Sequence, residues 1–248
     1  MDDLKISLIT VAYNAEATIE RCIASVLRQR FRNVEYIIID GGSTDNSNQI
    51  IAKYQGRIAH FVSEPDGGIY DAMNKGITLA SGDIVGMLNA DDFFADDEVL
   101  SEVAIAFSEQ KNHILYGDLD YIEQNGKVIR KWRSGKYKSG IFNLGWMPPH
   151  PTFYCRRNLF EELGLYRLDY GSAADYELML RFMHLNRSNV HYLNKVMVKM
   201  IVGGVSNKNI GNRVKAMRFD LKAMKNNNII LPWITIFFKP IRKILQYF

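Results

Sequence analysis

The chain has 248 residues, 47% of them apolar and 23% charged, which describes a folded globular protein and excludes disordered, collagen-like and disulfide-stapled classes. At this length roughly 70 to 75% of the extended chain's surface is buried on folding, so a full core forms without staples. The net charge of +4 conceals an asymmetry: residues 178–248 hold 13 Lys/Arg against the single acid Asp220, whereas residues 1–177 hold 18 against 26 acids. A basic last third suits anionic headgroups or diphosphates; nucleic acid, or a merely solvated face, is also compatible with it.

The N-terminus places two acids before a short apolar run and reads as a first strand, not as a secretory signal. Leu4 to Val11 and Val34 to Ile39 have the near-continuous apolar character of strands covered on both faces. Between them Ile19, Cys22, Ile23, Val26 and Leu27 recur at helical steps, with Asn14 as the expected cap. A second helix is expected to start near Ser43 to Asp45 and a short strand near Ile58 to Val62. Asp66-Gly67-Gly68 makes a turn, after which Ile69, Ala72, Met73, Ile77 and Ala80 read as the buried stripe of a third helix.

Ile84 to Leu88 is the next strand, and Val99, Val103, Ala106 and Phe107 mark a fourth helix. Ile114 to Asp118 and Val128 to Trp132 read as strands joined by a turn at Asn125-Gly126, and residues 133–140 as a mobile surface loop. Three prolines stiffen the chain around His150 ahead of a strand at Thr152 to Cys155. A helix opens close to Asp175, His191 to Val202 is strand-like, and a basic helix spans roughly Asn209 to Lys225. Cys22 and Cys155 lack CxxC spacing and read as small core residues. The longest late apolar run, Ile229 to Phe238, is half the length a bilayer-spanning helix needs.

Four positions invite chemistry, and each also has a plain structural reading. Asp40 ends an apolar strand and enters Gly41-Gly42-Ser43-Thr44-Asp45; it is either an acceptor for a ligand N–H or the organiser of a strand-to-helix turn. Asn89, Asp91 and Asp92 follow the middle strand at its carboxyl end, where α/β folds put ligands; they offer hard oxygen donors to Mn²⁺ or Mg²⁺, or cap a helix. His150 is a metal or phosphate contact, or a structural histidine. Asp175 is a general base or a helix cap, with Glu177 as the other carboxylate available there. G-x-G-x-x-G, the Walker motif, H-E-x-x-H and Cys/His clusters are all absent, which disfavours hydride transfer, P-loop phosphoryl transfer and zinc hydrolysis.

Taken in order, Thr10-Val11-Ala12-Tyr13-Asn14, Ile39-Asp40-Gly41-Gly42-Ser43-Thr44-Asp45, Asp71-Ala72-Met73-Asn74-Lys75-Gly76 with Ala80-Ser81-Gly82-Asp83, and Leu88-Asn89-Ala90-Asp91-Asp92 resemble the family 2 glycosyltransferases of GT-A fold. The resemblance spans about residues 4–200. It implies an α/β catalytic domain over 1–205, with a nucleotide-binding half at 1–118, an acceptor-binding half at 119–205, and a basic amphipathic extension at 206–248. Thr10, Ala12 and Asp40 would surround the base, with Asn14 and Asp66 nearby. Asn89-Ala90-Asp91 would match the metal-binding Asp-x-Asp motif, with Asp91 as the principal ligand to Mn²⁺ or Mg²⁺, Asn89 in place of the usual first Asp, and His150 beside metal or diphosphate. Asp175 would match the inverting base, with Ala174 where a glutamate often stands.

The resemblance further implies transfer of one sugar from a nucleotide sugar, UDP-linked, to a polyprenyl-diphosphate-linked or free saccharide in bacterial surface polysaccharide synthesis. The Gln-x-x-Arg-Trp signature of processive synthases is missing. The expected location is cytoplasmic and peripheral on the inner membrane through the C-terminal extension, with no nucleic-acid partner; docking of that extension on the core, or a dimer contact, is the structural alternative. The rival functions are a sugar nucleotidyltransferase and a non-enzymatic basic membrane adaptor.

Overall fold

Strand and helix periods alternate through the first half, and a parallel sheet results. The computed structural model describes residues 4–109, 111–186, 188–202, 210–244 and 246. β1 (Ile6–Ala12), β2 (Val34–Asp40), β3 (His60–Ser63) and β4 (Ile84–Met87) run parallel in the order β3-β2-β1-β4. The three isoleucines of β2 are consecutive because helices cover both faces. Ile38 packs with Ile19, Ile23 and Ile51 of α1 (Ile19–Leu27) and α2 (Ser47–Ala52); Ile37 and Ile39 pack with Ala72, Met73 and Ile77 of α3 (Ile69–Leu79).

Beyond β4 the sheet becomes mixed. β8 (Tyr154–Arg156) pairs antiparallel with β4 and with β6 (Ile114–Ile122), and β6 runs parallel to β9 (Val190–Ile201). β5 (Asp92–Phe94) adds to β9, and β7 (Val128–Trp132) folds back on β6. Gly86 makes the β4–β8 junction possible, since a Cβ there would lie 2.1 Å from the Tyr154 ring. α4 (Val99–Glu109) packs its Val99, Val103 and Phe107 on the α1 side, and α5 (Asn158–Leu163) lies on the α3 side.

α6 (Ala174–Met179) continues as a π-helical stretch over Leu180–Leu185. α7 (Ile210–Asn226) and α8 (Pro232–Ile244) follow, and Ala223, Met224 and Ile229 are buried in the same core as α3 and α6. Gly145, at φ +70°, lets the α8 backbone approach; a Cβ there would meet the Lys239 nitrogen at 2.7 Å. Among the described residues no helix is long and apolar enough to cross a membrane. Cys22 and Cys155 are buried free thiols, and burial pushes Cys22 up to about 12.

Four local expectations are corrected. Asn14 does not cap α1, which starts five residues later at Ile19 with Thr18 before it; Asn14 sits at φ +48° and its Oδ1 accepts from the Thr44 N–H at 2.9 Å. α2 starts at Ser47, because residues 43–46 spend their polar groups on Asn14 and Glu16. Ile69 is exposed and faces a cleft instead of the core. Residues 133–140 are anchored, not loose: Ser134 donates to Asp118 and Gly117, and Gly135 accepts from the Tyr116 hydroxyl.

Candidate active site

The carboxyl ends of β1 and β2 form one polar cluster. Asp40 is fully buried, and its Oδ2 accepts from the N–H groups of Gly42 (3.1 Å) and Ser43 (2.9 Å) and from Ser63 Oγ (2.7 Å). Its Oδ1 accepts from Ser43 Oγ. The carboxylate thus shapes the glycine turn, as its structural reading had it. Gly41 N–H donates to the Ala12 carbonyl, and the Asp66 carboxylate covers Gly41 so closely that a Cβ there would lie 2.5 Å from Asp66 Oδ2. Asp66 Oδ1 accepts from Gly68 N–H, just ahead of α3. Asn14 is bound to Ser43 and Thr44, so Ala12, Asn14, Asp40 and Asp66 are physically joined. Thr10 lies under the sheet instead: its Oγ1 bonds the Tyr36 hydroxyl and it is wholly buried.

At the end of β4 no helix follows Asn89-Ala90-Asp91-Asp92; the chain enters β5, so neither aspartate is a helix cap. Asp91 is exposed, while Asp92 is buried and its carboxyl is pushed well above the usual range by desolvation and then by Asp91. Asn89 Nδ2 donates to Asp92 Oδ2 at 3.1 Å, yet Asn89 Oδ1 and Asp92 Oδ1 are buried without a hydrogen-bond partner. Orphaned buried oxygens beside an open carboxylate fit a hard cation that completes its shell from a substrate diphosphate. No cluster of three or more His, Cys, Asp or Glu side chains able to hold a metal occurs among the described residues, so a complete protein cage is absent there.

Beyond this point a cleft of about 1440 Å³ opens toward the C-terminal helices. Asn89 forms part of its wall, as do Tyr70, His150 and Asp175. Asp175 stands in the first turn of α6, half-buried, with Oδ1 accepting from the Tyr176 N–H at 2.7 Å. The Tyr70 hydroxyl lies against it; burial and the Asp175 charge push that phenol well above its ordinary value, which keeps it a donor. Tyr70 stacks on Tyr166 with ring centroids 5.5 Å apart, and the Tyr166 hydroxyl bonds His150 Nε2 at 2.7 Å. Burial lowers the His150 pKa, partly opposed by Asp175, which favours the uncharged ring. Metal ligation through its Nε2 requires displacing Tyr166.

Glu177, two residues from Asp175, has a different place. It is fully buried and bidentate to Arg181 (3.0 and 2.8 Å), with Arg167 at 3.3 Å. Arg181 in turn donates to the carbonyls of Leu163, Gly164 and Leu165. The pair ties α6 to the end of α5 and takes Glu177 out of contention as a base. Asn74 fixes the next residues with two bonds of 2.9 Å to the Tyr166 backbone.

The cleft therefore joins Asn89, His150 and Asp175, while Ala12, Asn14, Asp40 and Asp66 form the neighbouring strand-end cluster and Asp91 stands exposed beside Asn89. Sequence reasoning missed Tyr70, Tyr166 and Trp146. Tyr70 sits in the helix-opening run Ile69-Tyr70-Asp71, and its partner Tyr166 is 96 positions away, so no local spacing marks it.

A helix-flanked mixed sheet with its ligand-facing groups at the strand ends is the GT-A form of an α/β enzyme. The chain belongs to glycosyl transferase family 2, whose family model matches residues 7–164. It is 35% identical over 187 residues to an uncharacterised glycosyltransferase of Mycobacterium tuberculosis, covering 71% of this chain and 68% of that one. It is 30% identical over 211 residues to the PGL/p-HBAD biosynthesis glycosyltransferase of Mycobacterium bovis, covering 81% and 78%. Among solved structures, TarS 1–349 of S. aureus in complex with UDP superposes with TM-score 0.69 at 23% identity, covering 91% of this chain and 67% of that chain. The mannosyltransferase PcManGT of Pyrobaculum calidifontis in complex with GDP-Man and Mn²⁺ superposes with TM-score 0.67 at 14% identity, covering 96% and 72%. Family membership makes the protein a glycosyltransferase and sets aside the nucleotidyltransferase and adaptor readings.

Proposed function

We propose that the protein is an inverting transferase that moves one sugar from a UDP-linked donor to a hydroxyl of a saccharide, free or carried on polyprenyl diphosphate, in surface glycan synthesis. The single observation that carries this reading is that Asp175 and Asn89 face one cleft from opposite elements, α6 and the end of β4. The joined cluster of Ala12, Asn14, Asp40 and Asp66 takes the nucleoside, with Thr10 contributing through its backbone because its hydroxyl is already bonded to Tyr36. Asp91 and Asn89 would hold Mn²⁺ or Mg²⁺, with His150 near the diphosphate; a bound cation supplies Lewis-acid stabilisation of charge on the leaving diphosphate.

Asp175 takes the proton of the acceptor hydroxyl as the acceptor oxygen bonds to the anomeric carbon, and the bond from that carbon to the diphosphate oxygen breaks on the opposite face, releasing UDP. Tyr70, donating toward that carboxylate, fixes its orientation. Residues 1–118 serve the donor, 119–205 the acceptor, and 206–248 form the basic extension, with the enzyme at the cytoplasmic face of the inner membrane.

The test is a panel of UDP- and GDP-sugars screened for binding with Mn²⁺, followed by UDP release with candidate acceptors and NMR of the product's anomeric proton. Acceptor-dependent UDP release with inverted configuration is expected. Retained configuration, or pyrophosphate release from a triphosphate, refutes the reading.

A further inference from the structure

Helix α8 meets the protein through a mixed side, on which Ile236 packs against the core beside a polar stripe: Thr235 Oγ1 donates to the Asn143 carbonyl at 2.8 Å, Lys239 Nζ bonds Asp220 at 2.6 Å and lies 3.6 Å from the Tyr176 ring centroid, and Arg242 Nε donates to the Leu144 carbonyl at 2.8 Å. These positions recur at four and three residues and form one stripe. The opposite stripe is apolar and open to solvent: Trp233 is 65% exposed and Phe237 70%, with Ile234, Phe238 and Ile241 also exposed, and Ile230 and Leu231 extend it before the helix begins. Lone exposed hydrophobics need no explanation, but a continuous aromatic-rich strip marks an interaction face.

Charge decides what covers it. Residues 221–248 contain no acid, and the nearest one, Asp220, is held by Lys239. Lys225 borders the strip, its Nζ 5.3 Å from the Trp233 ring centroid, and the sequence of 221–248 carries further basic residues with no acid to offset them. A second copy meeting the same face about a two-fold axis would bring these cations toward their own counterparts. Anionic headgroups neutralise them, and tryptophan and phenylalanine lie at headgroup depth beside such charges.

We infer that the outer face of α8, Ile230 to Ile241, docks on an anionic bilayer surface. The inner face of the same helix supplies Ile236, Lys239 and Arg242 to the cleft wall, so docking sets the cleft about one helix diameter, roughly 10 Å, from the lipid. That placement rests on the proposed reading of the acceptor as lipid-carried; the docking itself does not.

The experiment is co-sedimentation of the full chain with vesicles of phosphatidylcholine alone and with about one-third phosphatidylglycerol, plus quenching of tryptophan fluorescence by brominated lipid. Trp146 is buried and Trp132 lies in the cleft wall, which leaves Trp233 as the residue exposed to quencher. Salt-sensitive binding to the anionic vesicles, with quenching, is expected; Trp233→Ser with Phe237→Ser should lower the partition coefficient about tenfold or more. UDP binding, measured in the same samples without vesicles, should not change, so loss of docking is separable from loss of the sugar-transfer reading. If the double variant does not fold, the quenching of the unaltered protein decides. Absence of both sedimentation and quenching, or a concentration-dependent dimer that buries Trp233 and excludes vesicles, overturns the inference.

Discussion

Asp175 and Glu177 are two residues apart on α6 yet are assigned opposite tasks, and two amide substitutions separate them. Glu177→Gln keeps the shape but removes the charge that faces Arg181, whose side chain is 8% exposed. Breaking a buried pair on one side costs about 3–5 kcal/mol. Arg181 keeps three carbonyl acceptors, at Leu163, Gly164 and Leu165, so the loss belongs at the lower end, about 3 kcal/mol. In a chain of this size each kcal/mol moves the midpoint roughly 2–4 °C, which gives a fall of about 6–12 °C. Asp175→Asn is different: the group is half-buried, and an amide oxygen still accepts from the Tyr176 N–H, so stability should change by less than about 0.5 kcal/mol. Its turnover should fall about 10²- to 10⁴-fold, the usual worth of a positioned base, with UDP affinity retained. Thermal melting and UDP-release kinetics on both variants read the two axes. The reverse pattern, an unstable Asp175→Asn with normal turnover beside a stable, inactive Glu177→Gln, would refute the assignment of roles.

Asp91→Ala should abolish the Mn²⁺-dependent part of UDP affinity, measured by titration calorimetry with and without the metal; equal affinities in all four conditions reject Asp91 as ligand. Glu35 is 5% exposed, and although burial opposes its ionisation, hydrogen bonds from Lys5, Ser7 and Ser81 outweigh that and lower its pKa from 4.5 to about 2. A depressed carboxylate stabilises the fold above its unfolded value and loses that contribution as pH falls from about 4.5 toward 2, on the order of 3 kcal/mol. Urea unfolding of Glu35→Gln should therefore show a flatter stability profile across that window, and an unchanged profile contradicts the cause given. Gly145→Val should lower the melting temperature and raise the protease sensitivity of residues 229–244, since its side chain collides with the Lys239 backbone; equal protection means α8 is not held there.

The residues that the sequence made legible share one property: their signal is local. β2 announces itself through consecutive isoleucines, and the Asp40 turn through its two glycines. Asn89 and Asp91 stand out because an uncharged strand runs straight into them. What stayed hidden depends on distant pairing. β5 has three residues and exists because β9 supplies its partners at Val198 to Met200. The wrong expectation for Asn14 has the same origin, since its Oδ1 is claimed by Thr44, thirty residues on, in place of the first turn of α1. Ile69 matched a helical stripe, but the period says nothing about whether the first turn of a helix overhangs an open cleft.

The two sides of the cleft are also built by different means. On the strand-end side, carboxylates and amides are bonded to backbone N–H groups, as at Asp40, Asn14 and Asp66, so rigidity comes from hydrogen bonds to the main chain. On the Asp175 side, rigidity comes from aromatic contact: Tyr70 on Tyr166, Tyr166 on His150, with Asn74 pinning the Tyr166 backbone. Asn74→Ala removes both of those pins without touching the cleft. Loss of two hydrogen bonds at about 1 kcal/mol each loosens Tyr166, and through it Tyr70 and the Asp175 carboxylate that Tyr70 lies against. Turnover should therefore fall several-fold while UDP affinity, assigned by the proposal to the other side, stays at its original value. A variant that loses UDP affinity and turnover together would mean that the two walls are mechanically one.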